Sequence, residues 1–201
     1  MTTTKFLENN YKSDRLIYKT VENDEETEEF ILREISNDAI SAALAEHGVI
    51  RPKGKKLVQE LIDSLMRAEL GVIIYLPQRK DVPIGYLGLG WGGKQAASSH
   101  HRDASIGLVI AAAYQDKGYG SEAINWALDW AFRLGGYHRV EIGTVSFNER
   151  AMHVYKGLGF VEEGRSREAH WFDRKWHDMV SYGMLESEWA ALRGLEGGTA
   201  N

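Results

Sequence analysis

The sequence predicts a mixed α/β fold, in which strands and helices alternate through most of the chain. Residues 104–111 are apolar and rich in β-branched side chains, which favours a buried strand. A glycine-bearing turn follows, and apolar residues then recur at helical spacing from Ile124 to Leu134. Residues 140–145 form the next predicted strand, before another helix begins at Asn148. The complete predicted order is β-α-α-β-β-β-α-β-α-β-β, a mixed α/β arrangement.

Five elements are predicted before the strand at residues 104–111. Residues 15–18 open the first strand, and residues 21–30 contain the start of an amphipathic helix. Leucines at helical spacing predict a second amphipathic helix over residues 56–70. Residues 71–76 and 82–90 are predicted to be neighbouring strands, because each is apolar and a proline-containing turn joins them.

The C-terminal part completes the same domain. The chain resumes a strand at Phe160, and residues 176–185 form the last predicted strand. With 201 residues, the chain is long enough for one substantial core. We therefore expect one domain over residues 1–201, with a frayed tail from about residue 190.

The composition excludes several classes of function. The formal net charge of −5 weighs against nucleic acid as the main partner and is compatible with a cationic small substrate. No apolar run is long enough to span a membrane, and the first ten residues lack the apolar core of a signal peptide. We therefore expect no membrane partner and a cytoplasmic protein.

Two features bear on metal and thiol chemistry. The chain contains no cysteine, which excludes disulfides, thiolate metal sites and a cysteine nucleophile. His100 and His101 are adjacent, but no carboxylate or thiol lies at ligand spacing from them. We therefore expect a surface loop there and no bound metal.

The turn at residues 115–121, Gln-Asp-Lys-Gly-Tyr-Gly-Ser, has the features of an anion site. It joins a strand to a helix N-terminus, where backbone N–H groups lack intrahelical partners and the helix dipole favours negative charge. Gly118 and Gly120 have no Cβ atom, so the backbone can approach a bulky phosphate closely. We expect a phosphorylated cofactor. A nucleoside triphosphate is disfavoured, because neither common nucleotide-binding glycine motif is present.

Two motifs follow one another in this part of the chain. The first is Q-x-x-G-x-G at residues 115–120, and the second is N-x-x-A-x-x-x-Y-x-x-x-G-F at residues 148–160. Their order and spacing resemble the acetyl-CoA-binding core of the GNAT N-acetyltransferase superfamily. Residues 165–168 (Arg-Ser-Arg-Glu) and 176–178 (Trp-His-Asp) are similar to the branch that contains ribosomal-protein and spermidine acetyltransferases. That branch usually has a glycine in the turn that residues 173–175 occupy here.

The resemblance is specific from about residue 103 to residue 185. It implies the GNAT fold, a central twisted mixed sheet with helices on both faces, and a core at about residues 103–163 that binds acetyl-CoA. By the same resemblance, the backbone of residues 108–110 pairs with the pantetheine arm and offers an N–H to the thioester carbonyl. The predicted cofactor-binding residues are Leu108, Val109, Ile110, Gln115, Lys117, Gly118, Tyr119, Gly120, Ser121, Asn148 and Tyr155. Two of them have alternatives: Lys117 is either a phosphate contact or simply exposed, and Asn148 is also a favoured helix N-cap.

Tyr155 and Glu141 are the predicted catalytic residues. Tyr155 falls on the apolar stripe of its helix and points inward. Its hydroxyl either bonds a backbone carbonyl in the core or, as the resemblance implies, acts as the general acid beside the cofactor sulfur. Glu141 is either a base that acts through water or one half of a salt bridge. His153 lies about 200° around the helix from Tyr155, so we expect it at the surface.

The resemblance implies an N-acetyltransferase that moves an acetyl group to a primary amine of a small molecule. Without cysteine, direct attack in a ternary complex is favoured over an acyl-cysteine intermediate. The alternatives are a protein N-terminal (α-amino) acetyltransferase and a non-catalytic acyl-CoA sensor. The acidic residues 21–30 are either a solvated helix face or a lip that attracts a polyamine. Four aromatic residues either wall an acceptor pocket or form a homodimer interface: Trp91, Trp171, Phe172 and Trp176.

Overall fold

The computed structural model describes residues 10–45, 48–77, 82–90 and 100–195, and its centre is one sheet of seven strands. In chain order the strands are β1 Ile17–Thr20, β2 Leu70–Tyr75, β3 Pro83–Leu89, β4 Asp103–Ile110, β5 Arg139–Val145, β6 Val161–Phe172 and β7 Lys175–Leu185. Their spatial order is β1-β2-β3-β4-β5-β7-β6. Neighbouring strands are antiparallel except β4 and β5, which are parallel. The predicted mixed sheet is confirmed.

Six α-helices accompany this sheet in the described part of the chain. They are α1 Glu25–Phe30, α2 Ala39–Ala45, α3 Lys55–Met66, α4 Tyr119–Arg133, α5 Glu149–Gly157 and α6 Glu186–Leu192. A π-helical turn, Ile31–Ser36, continues α1, and a 3₁₀ turn, Ala112–Tyr114, follows β4. Within the described residues, no helix combines the length and the apolar character that crossing a bilayer requires.

Helices α2 and α6 are absent from the predicted order of elements. The tail was expected to be frayed from about residue 190, but α6 extends to Leu192 and Ala190 is only 2% exposed. The indole of Trp189 explains the difference, because it is 3% exposed and donates through Nε1 to Asp129 Oδ1 of α4 at 2.9 Å. Tertiary packing therefore holds a short helix that local propensity does not predict.

The two faces of the sheet bury separate hydrophobic clusters. In β4, the side chains of Ile106 and Ile110 belong to the cluster that contains α4, and Val109 belongs to the cluster that contains α1 and α3. This alternation follows from the two-residue period of a strand. The resemblance therefore predicted the layers correctly: helices pack on both faces of the sheet.

The parallel pair β4–β5 positions the site, because its ladder is short. Only three residue pairs are in register, and the last is Ser105 with Glu141. Beyond these residues the two strands continue to Ile110 and Val145 without pairing to each other. A gap therefore opens in the middle of the sheet, on the side where both strands end.

The turn between β6 and β7 forms without the glycine that the related branch usually has. Asp173 and Arg174 both adopt positive φ angles, 46° and 61°. A two-residue hairpin turn with both φ angles positive matches the right-handed twist of the flanking strands. The substitution of residues 173–175 therefore leaves the hairpin intact and places two non-glycine residues in a left-handed conformation.

Candidate active site

A cavity of about 650 Å³ occupies the gap between β4 and β5. Its walls come from both strands, from residues 114–116 and 118–121, from α5, and from α2. Among its described lining residues, only Asp116 and Arg150 carry a charge. The cavity therefore has one charged end, at the turn before α4, and is otherwise neutral.

The turn before α4 presents the helix N-terminus to the cavity. Gly118 is the N-cap residue of this helix and has a φ of 78°, a left-handed conformation that favours glycine. The next three residues, Tyr119, Gly120 and Ser121, all line the cavity. The N–H groups of a first helical turn have no intrahelical acceptors, so this end of the cavity suits an anion.

Arg150 braces this turn from α5. Its Nη2 donates to Gln115 Oε1 at 2.7 Å, and its Nη1 donates to Asp116 Oδ1 at 2.8 Å. Gln115 Nε2 in turn donates to the carbonyl oxygen of Ile110 at 2.7 Å, at the end of β4. We did not select Arg150 from the sequence. Its signal was a cation inside the second motif, two residues after Asn148.

A second brace comes from the residues before β1. Glu122 Oε1 accepts from Ser13 Oγ at 2.6 Å and from the backbone N–H of Arg15 at 2.7 Å. Burial raises the pKa of the Glu122 carboxyl, but the hydrogen bonds from Ser13 and Arg15 and the charge of Arg15 lower it by more. The pKa of Glu122 is therefore below its ordinary value. Arg15 Nη1 also donates to the carbonyl oxygen of Lys117 at 2.9 Å. We call the turn at residues 115–121 the cradle. Arg150 holds it from one side and Arg15 from the other.

The backbone of β4 forms one long wall of the cavity. The carbonyl of Ser105 accepts from Gly90, which follows β3, and the N–H of Ala111 donates to Ile84 in β3. Because successive residues of a strand point their N–H groups to opposite sides, Leu108 and Ile110 direct theirs toward the gap. These donors meet no β5 residue, since the β4–β5 ladder has already ended.

Asn148 begins α5 and lines the cavity. Its Oδ1 accepts from the N–H of Ala151 at 3.2 Å, which confirms the predicted capping role. Its amide nitrogen remains available as a donor, because this capping bond uses only the oxygen. The predicted contact with a pantetheine arm stays a prediction.

Tyr155 lines the same cavity from α5. Its ring packs edge-on against Tyr182, with 5.6 Å between ring centroids, and against Phe160 at 6.2 Å. Burial, and to a smaller degree the nearby Tyr182, raise the pKa of Tyr155 to about 12. In the part of the chain that the structure describes, its hydroxyl hydrogen-bonds to no residue. The alternative of a core tyrosine bonded to a backbone carbonyl therefore loses its support.

Glu141 does not lie where a general base is needed. It does not line the cavity, and its carboxylate accepts from Arg139, which also binds Glu163. Of β5, the residues from Ile142 to Val145 line the cavity, so Glu141 lies one position before its wall. The structure thus supports the alternative prediction, a salt bridge, and we do not propose Glu141 as the base.

Two further predicted residues lie outside the cavity. All the predicted cofactor-binding residues line it except Lys117, whose Nζ donates to the carbonyl oxygen of Ala113 at 2.7 Å. The Lys117 side chain is exposed, which was the alternative prediction. His153 is also exposed, as its position on the helix predicted.

The aromatic residues of the β6–β7 hairpin lie apart from the main cavity. Trp171 and Trp176 are 56% and 57% exposed and pack against each other with 5.0 Å between ring centroids. Trp171 and Phe172 line a second cavity of about 240 Å³, which Ala43 of α2 also borders. Trp91 lies outside the described residues. An acceptor wall and a dimer interface both stay predictions for this surface.

Comparison with known proteins identifies the family. The pattern of the Acetyltransferase (GNAT) family matches residues 44–160. This match covers more than half of the chain and includes the turn before α4 and the whole of α5. The protein therefore belongs to the GNAT acetyltransferase family, and the predicted family is confirmed.

Two curated relatives are similar over part of the chain. Identity to the spermidine N(1)-acetyltransferase of Vibrio cholerae is 33% over 89 residues, covering 44% of this chain and 51% of that protein. Identity to the putative ribosomal N-acetyltransferase YdaF of Bacillus subtilis is 34% over 89 residues, covering 44% and 49%. The chain thus matches about half the length of these curated relatives.

Solved structures extend the likeness to nearly the whole described chain. A crystal structure of spermidine N-acetyltransferase from Vibrio cholerae in complex with CoA and spermine has a TM-score of 0.74 and 23% identity, covering 88% of this chain and 99% of that one. A GNAT-family acetyltransferase from Bacillus anthracis has a TM-score of 0.70 and 20% identity, covering 88% and 98%. At these identities the likeness establishes the fold.

Proposed function

We propose that this protein is an acetyl-CoA-dependent N-acetyltransferase that acts on a primary amine of a small molecule. One observation carries the proposal: Tyr155 and the glycine-bearing turn before α4 line one and the same cavity. Family membership supports acetyl-CoA as the donor, and the relatives named spermidine acetyltransferase support an amine as the acceptor.

The residues present fit acetyl-CoA. A Cβ atom at Gly120 would meet only Leu108 Cδ2 at 3.6 Å and Ile110 Cγ1 at 4.0 Å, which are ordinary contacts with side chains of the cavity wall. No protein atom therefore requires a glycine at this position, and the absence of a side chain leaves room for a ligand. The first turn of α4 would hold the pyrophosphate, and the β4 backbone with Asn148 would hold the pantetheine arm.

Each of the chain's own groups then has a defined task. Bound acetyl-CoA supplies the acetyl group as a thioester, and its transfer to the amine nitrogen breaks the carbon–sulfur bond. The β4 N–H groups stabilise negative charge that develops on the carbonyl oxygen. Tyr155, which stays protonated near neutral pH because its pKa is about 12, donates its proton to the departing thiolate. The amine loses its proton to water, and Tyr155 regains a proton from water, so the products are the amide and the free thiol.

The pKa of Tyr155 does not prevent this proton transfer. A free thiol has a pKa of roughly 8.5, so transfer from a phenol of pKa about 12 is unfavourable when the two are compared in water. Burial disfavours the charged form of every acid, so the pKa of a thiol in the same cavity also rises. The difference between the pKa values of the phenol and the thiol is therefore smaller inside the site than the comparison in water indicates.

Direct transfer is the mechanism we propose, because the chain contains no cysteine to carry an acyl group. A small acceptor is favoured by the net charge of −5 and by the exposed carboxylates of α1, which attract a cationic amine. A protein α-amine is the second candidate. The relatives named ribosomal-protein acetyltransferases favour it.

Two experiments test the proposal. Isothermal titration should detect binding of acetyl-CoA and none of ATP. A thiol-release assay with acetyl-CoA and a panel of spermidine, short alkylamines and an alanine-terminated peptide should then detect turnover with a small amine. Turnover with the peptide alone would assign the second acceptor class. Acetyl-CoA binding without turnover on any acceptor would indicate the non-catalytic sensor, and the absence of acetyl-CoA binding would refute the proposal.

A further inference from the structure

Tyr182, in β7, is a buried phenol that the proposed reaction does not use. It is 0% exposed and belongs to the hydrophobic cluster that contains α4. Burial, and after it the neighbouring Glu162, raise the pKa of Tyr182, so its hydroxyl stays protonated near neutral pH. Tyr182 does not line the main cavity. A role of this phenol in the reaction must therefore act through another residue.

Glu162 of β6 anchors the hydroxyl of Tyr182. The two residues lie opposite each other in the β6–β7 ladder, and the phenol donates a long hydrogen bond to Glu162 Oε2 at 3.3 Å. The carboxylate also accepts from Arg165 Nε at 2.6 Å and pairs with Lys156 Nζ at 3.2 Å. The hydrogen bonds from Arg165 and Lys156 lower the pKa of Glu162 to about 2, so this acceptor is ionised near neutral pH. Lys156 follows Tyr155 directly in α5, so the anchor connects Tyr182 to the helix that carries the proposed general acid.

The ring of Tyr182 lies edge-on to the ring of Tyr155. The centroids are 5.6 Å apart and the ring planes make an angle of 74°, a geometry that aromatic pairs prefer. Among the described residues, Phe160 makes the other ring contact of Tyr155, at 6.2 Å. The Tyr155 hydroxyl hydrogen-bonds to no residue in the described ranges. Ring packing therefore orients this phenol, and Tyr182 supplies the closer of the two ring contacts.

The orientation of Tyr155 matters because a general acid acts only within hydrogen-bond reach. Its oxygen must approach the atom that it protonates to about 2.6–3.2 Å. The hydroxyl lies at the far end of the tyrosine side chain, so a small rotation of the ring displaces it. A displacement of about 1 Å can lower a rate about 100-fold. A neighbour that fixes the ring therefore affects kcat.

We propose that Tyr182 positions Tyr155 for proton donation, with its ring packed edge-on against that phenol and its hydroxyl anchored to Glu162. This inference rests on the proposed function and deepens it, because it assigns a task to a residue outside the cavity. Tyr182 is a positioning residue. It transfers no proton in the reaction and binds neither substrate.

The test compares variants of Tyr182 in two backgrounds. Tyr182→Leu removes the ring, so kcat for the best amine of the panel should fall about tenfold, while the acceptor KM and the Kd of acetyl-CoA stay within about twofold of wild type. Tyr182→Phe keeps the ring and loses only the anchor, so its kcat should lie within about threefold of wild type. In the Tyr155→Phe background, Tyr182→Leu should cause no further loss of kcat, because the hydroxyl that it positions is absent.

Phe132→Leu is the matched control. Phe132 belongs to the same hydrophobic cluster, is 8% exposed and packs against Trp189 with 5.4 Å between ring centroids, but it does not line the cavity. This variant also removes a buried ring, so it reproduces the loss of packing and leaves the ring contacts of Tyr155 in place. Its kcat should equal that of wild type at a temperature where both are folded.

Glu162→Gln keeps the inference testable if Tyr182→Leu does not fold. It removes no buried ring, because it changes a carboxylate that is 27% exposed. The weaker anchor should lower kcat about two- to threefold, and the same substitution should have no effect in the Tyr155→Phe background.

Three results would overturn the inference while the proposed function stands. They are a wild-type kcat in Tyr182→Leu, an equal loss from Tyr182→Leu in both backgrounds, and a Kd of acetyl-CoA that rises by the factor that kcat loses. The second would mean that Tyr182 only packs the core, and the third that it acts on the donor. Where Tyr182→Leu does not fold, an equal effect of Glu162→Gln in both backgrounds would overturn it. If wild type acetylates no member of the panel, the proposed function fails, and this inference fails with it.

Discussion

The two ends of the cavity are built from different atoms and from different parts of the chain. At the cradle end, the first residues of α4 line the cavity, and the side chains of Arg150 and Glu122 brace the turn before this helix. At the α2 end, the lining residues are Ser41, Leu44 and Ala45 of one short helix. The cradle end therefore offers the free backbone N–H groups of a helix start, whereas the character of the α2 end depends on which residues the short helix carries.

This difference separates what the whole family shares from what an individual member recognises. A backbone cradle depends on a glycine turn and a helix start, so many sequences that keep this geometry bind the same phosphorylated group. A side-chain surface changes with single substitutions. We therefore expect mutations at the cradle end to affect acetyl-CoA, and mutations at the α2 end to affect the amine.

The largest expected effect belongs to Tyr155, which lines the same cavity from α5. Tyr155→Phe removes the hydroxyl and keeps the ring contacts with Tyr182 and Phe160. A positioned general acid contributes about 10²–10⁴-fold, or roughly 3–5 kcal/mol of barrier. We predict a loss of kcat in that range, with little change in the Kd of acetyl-CoA or in the acceptor KM, measured by steady-state kinetics.

Two controls sharpen this prediction. An acetyl thioester whose thiol is more acidic than that of CoA should recover part of the loss, because its leaving group needs less protonation. The melting temperature should stay near the wild-type value, since no described residue bonds the hydroxyl. Retention of more than about half of kcat, where chemistry limits the rate, would remove the general-acid role.

The next largest effect is predicted for Gly120, at the cradle end alone. Valine at this position directs its branched side chain toward Leu108 and into the space that we assign to the pyrophosphate. The loss of one hydrogen bond to a charged group costs roughly 1.5–3 kcal/mol, so the Kd of acetyl-CoA should rise about 10- to 100-fold. Titration of the folded variant measures this change, and Gly120→Ala should give a smaller one.

Gly157, at the end of α5, provides the matched control. It does not line the cavity, and a Cβ atom there would meet nothing within 4 Å. Gly157→Val should therefore bind acetyl-CoA as wild type does. Equal affinities for Gly120→Val and wild type, with the fold retained, would show that the pyrophosphate lies elsewhere.

The cradle could be predicted from the sequence because its geometry is local. A strand, two glycines and a helix start lie within a short stretch around Gly118, and chain connectivity alone brings them together. Tyr155 was predicted for a related reason, since the helical period of α5 places it on the inward stripe. The mixed fold followed from the order of such local patterns.

The α2 end could not be predicted, because nothing local distinguishes its residues. The stretch that becomes Ala39–Ala45 is rich in alanine. It lines the cavity only because the folded chain packs this helix against β4 and β5. The choice between the two predicted roles of Glu141 could not be made from the sequence for a similar reason. One signal was available, since Arg139 lies two residues earlier on the same face of β5. The second partner, Glu163, comes from β6 and depends on the tertiary fold.

A smaller effect is predicted for the acidic helix α1, which leads through the π-helical turn toward α2. Glu28 pairs with Lys55 and Glu29 pairs with Arg33, so we select Glu25 and Glu26, which are exposed. Exposed charges interact by roughly 0.2–1 kcal/mol, which corresponds to about a 1.4- to fivefold change. Replacing both with glutamine should raise the acceptor KM by that factor at low salt and leave the KM of acetyl-CoA unchanged.

The effect of these replacements on KM should vanish at high salt, because exposed charges are screened. A control variant with glutamine at Glu60 and Glu186 makes the same change in net charge elsewhere and should behave as wild type. If the acceptor KM of the α1 variant is unchanged at low salt, α1 is only a solvated helix face.

The smallest effect concerns the pH dependence of Tyr155. Because burial raises its pKa to about 12, only about 1% of the phenol is ionised at pH 10, whereas half of an ordinary tyrosine would be. The ratio of kcat between wild type and Tyr155→Phe should therefore stay constant from pH 7 to pH 10. Using this ratio cancels the deprotonation of the amine, which affects both enzymes equally.

The stability of the fold sets the upper pH limit of this measurement. A raised phenol pKa stabilises the folded state fully below about pH 10, and this stabilisation is lost as pH rises from about 10 to about 12. Up to pH 10, ionisation of Tyr155 therefore does not destabilise the fold. A wild-type to Tyr155→Phe ratio that halves by pH 10 would mean an ordinary phenol pKa. Tyr155 would then be hydrated, and water would have access to this part of the cavity.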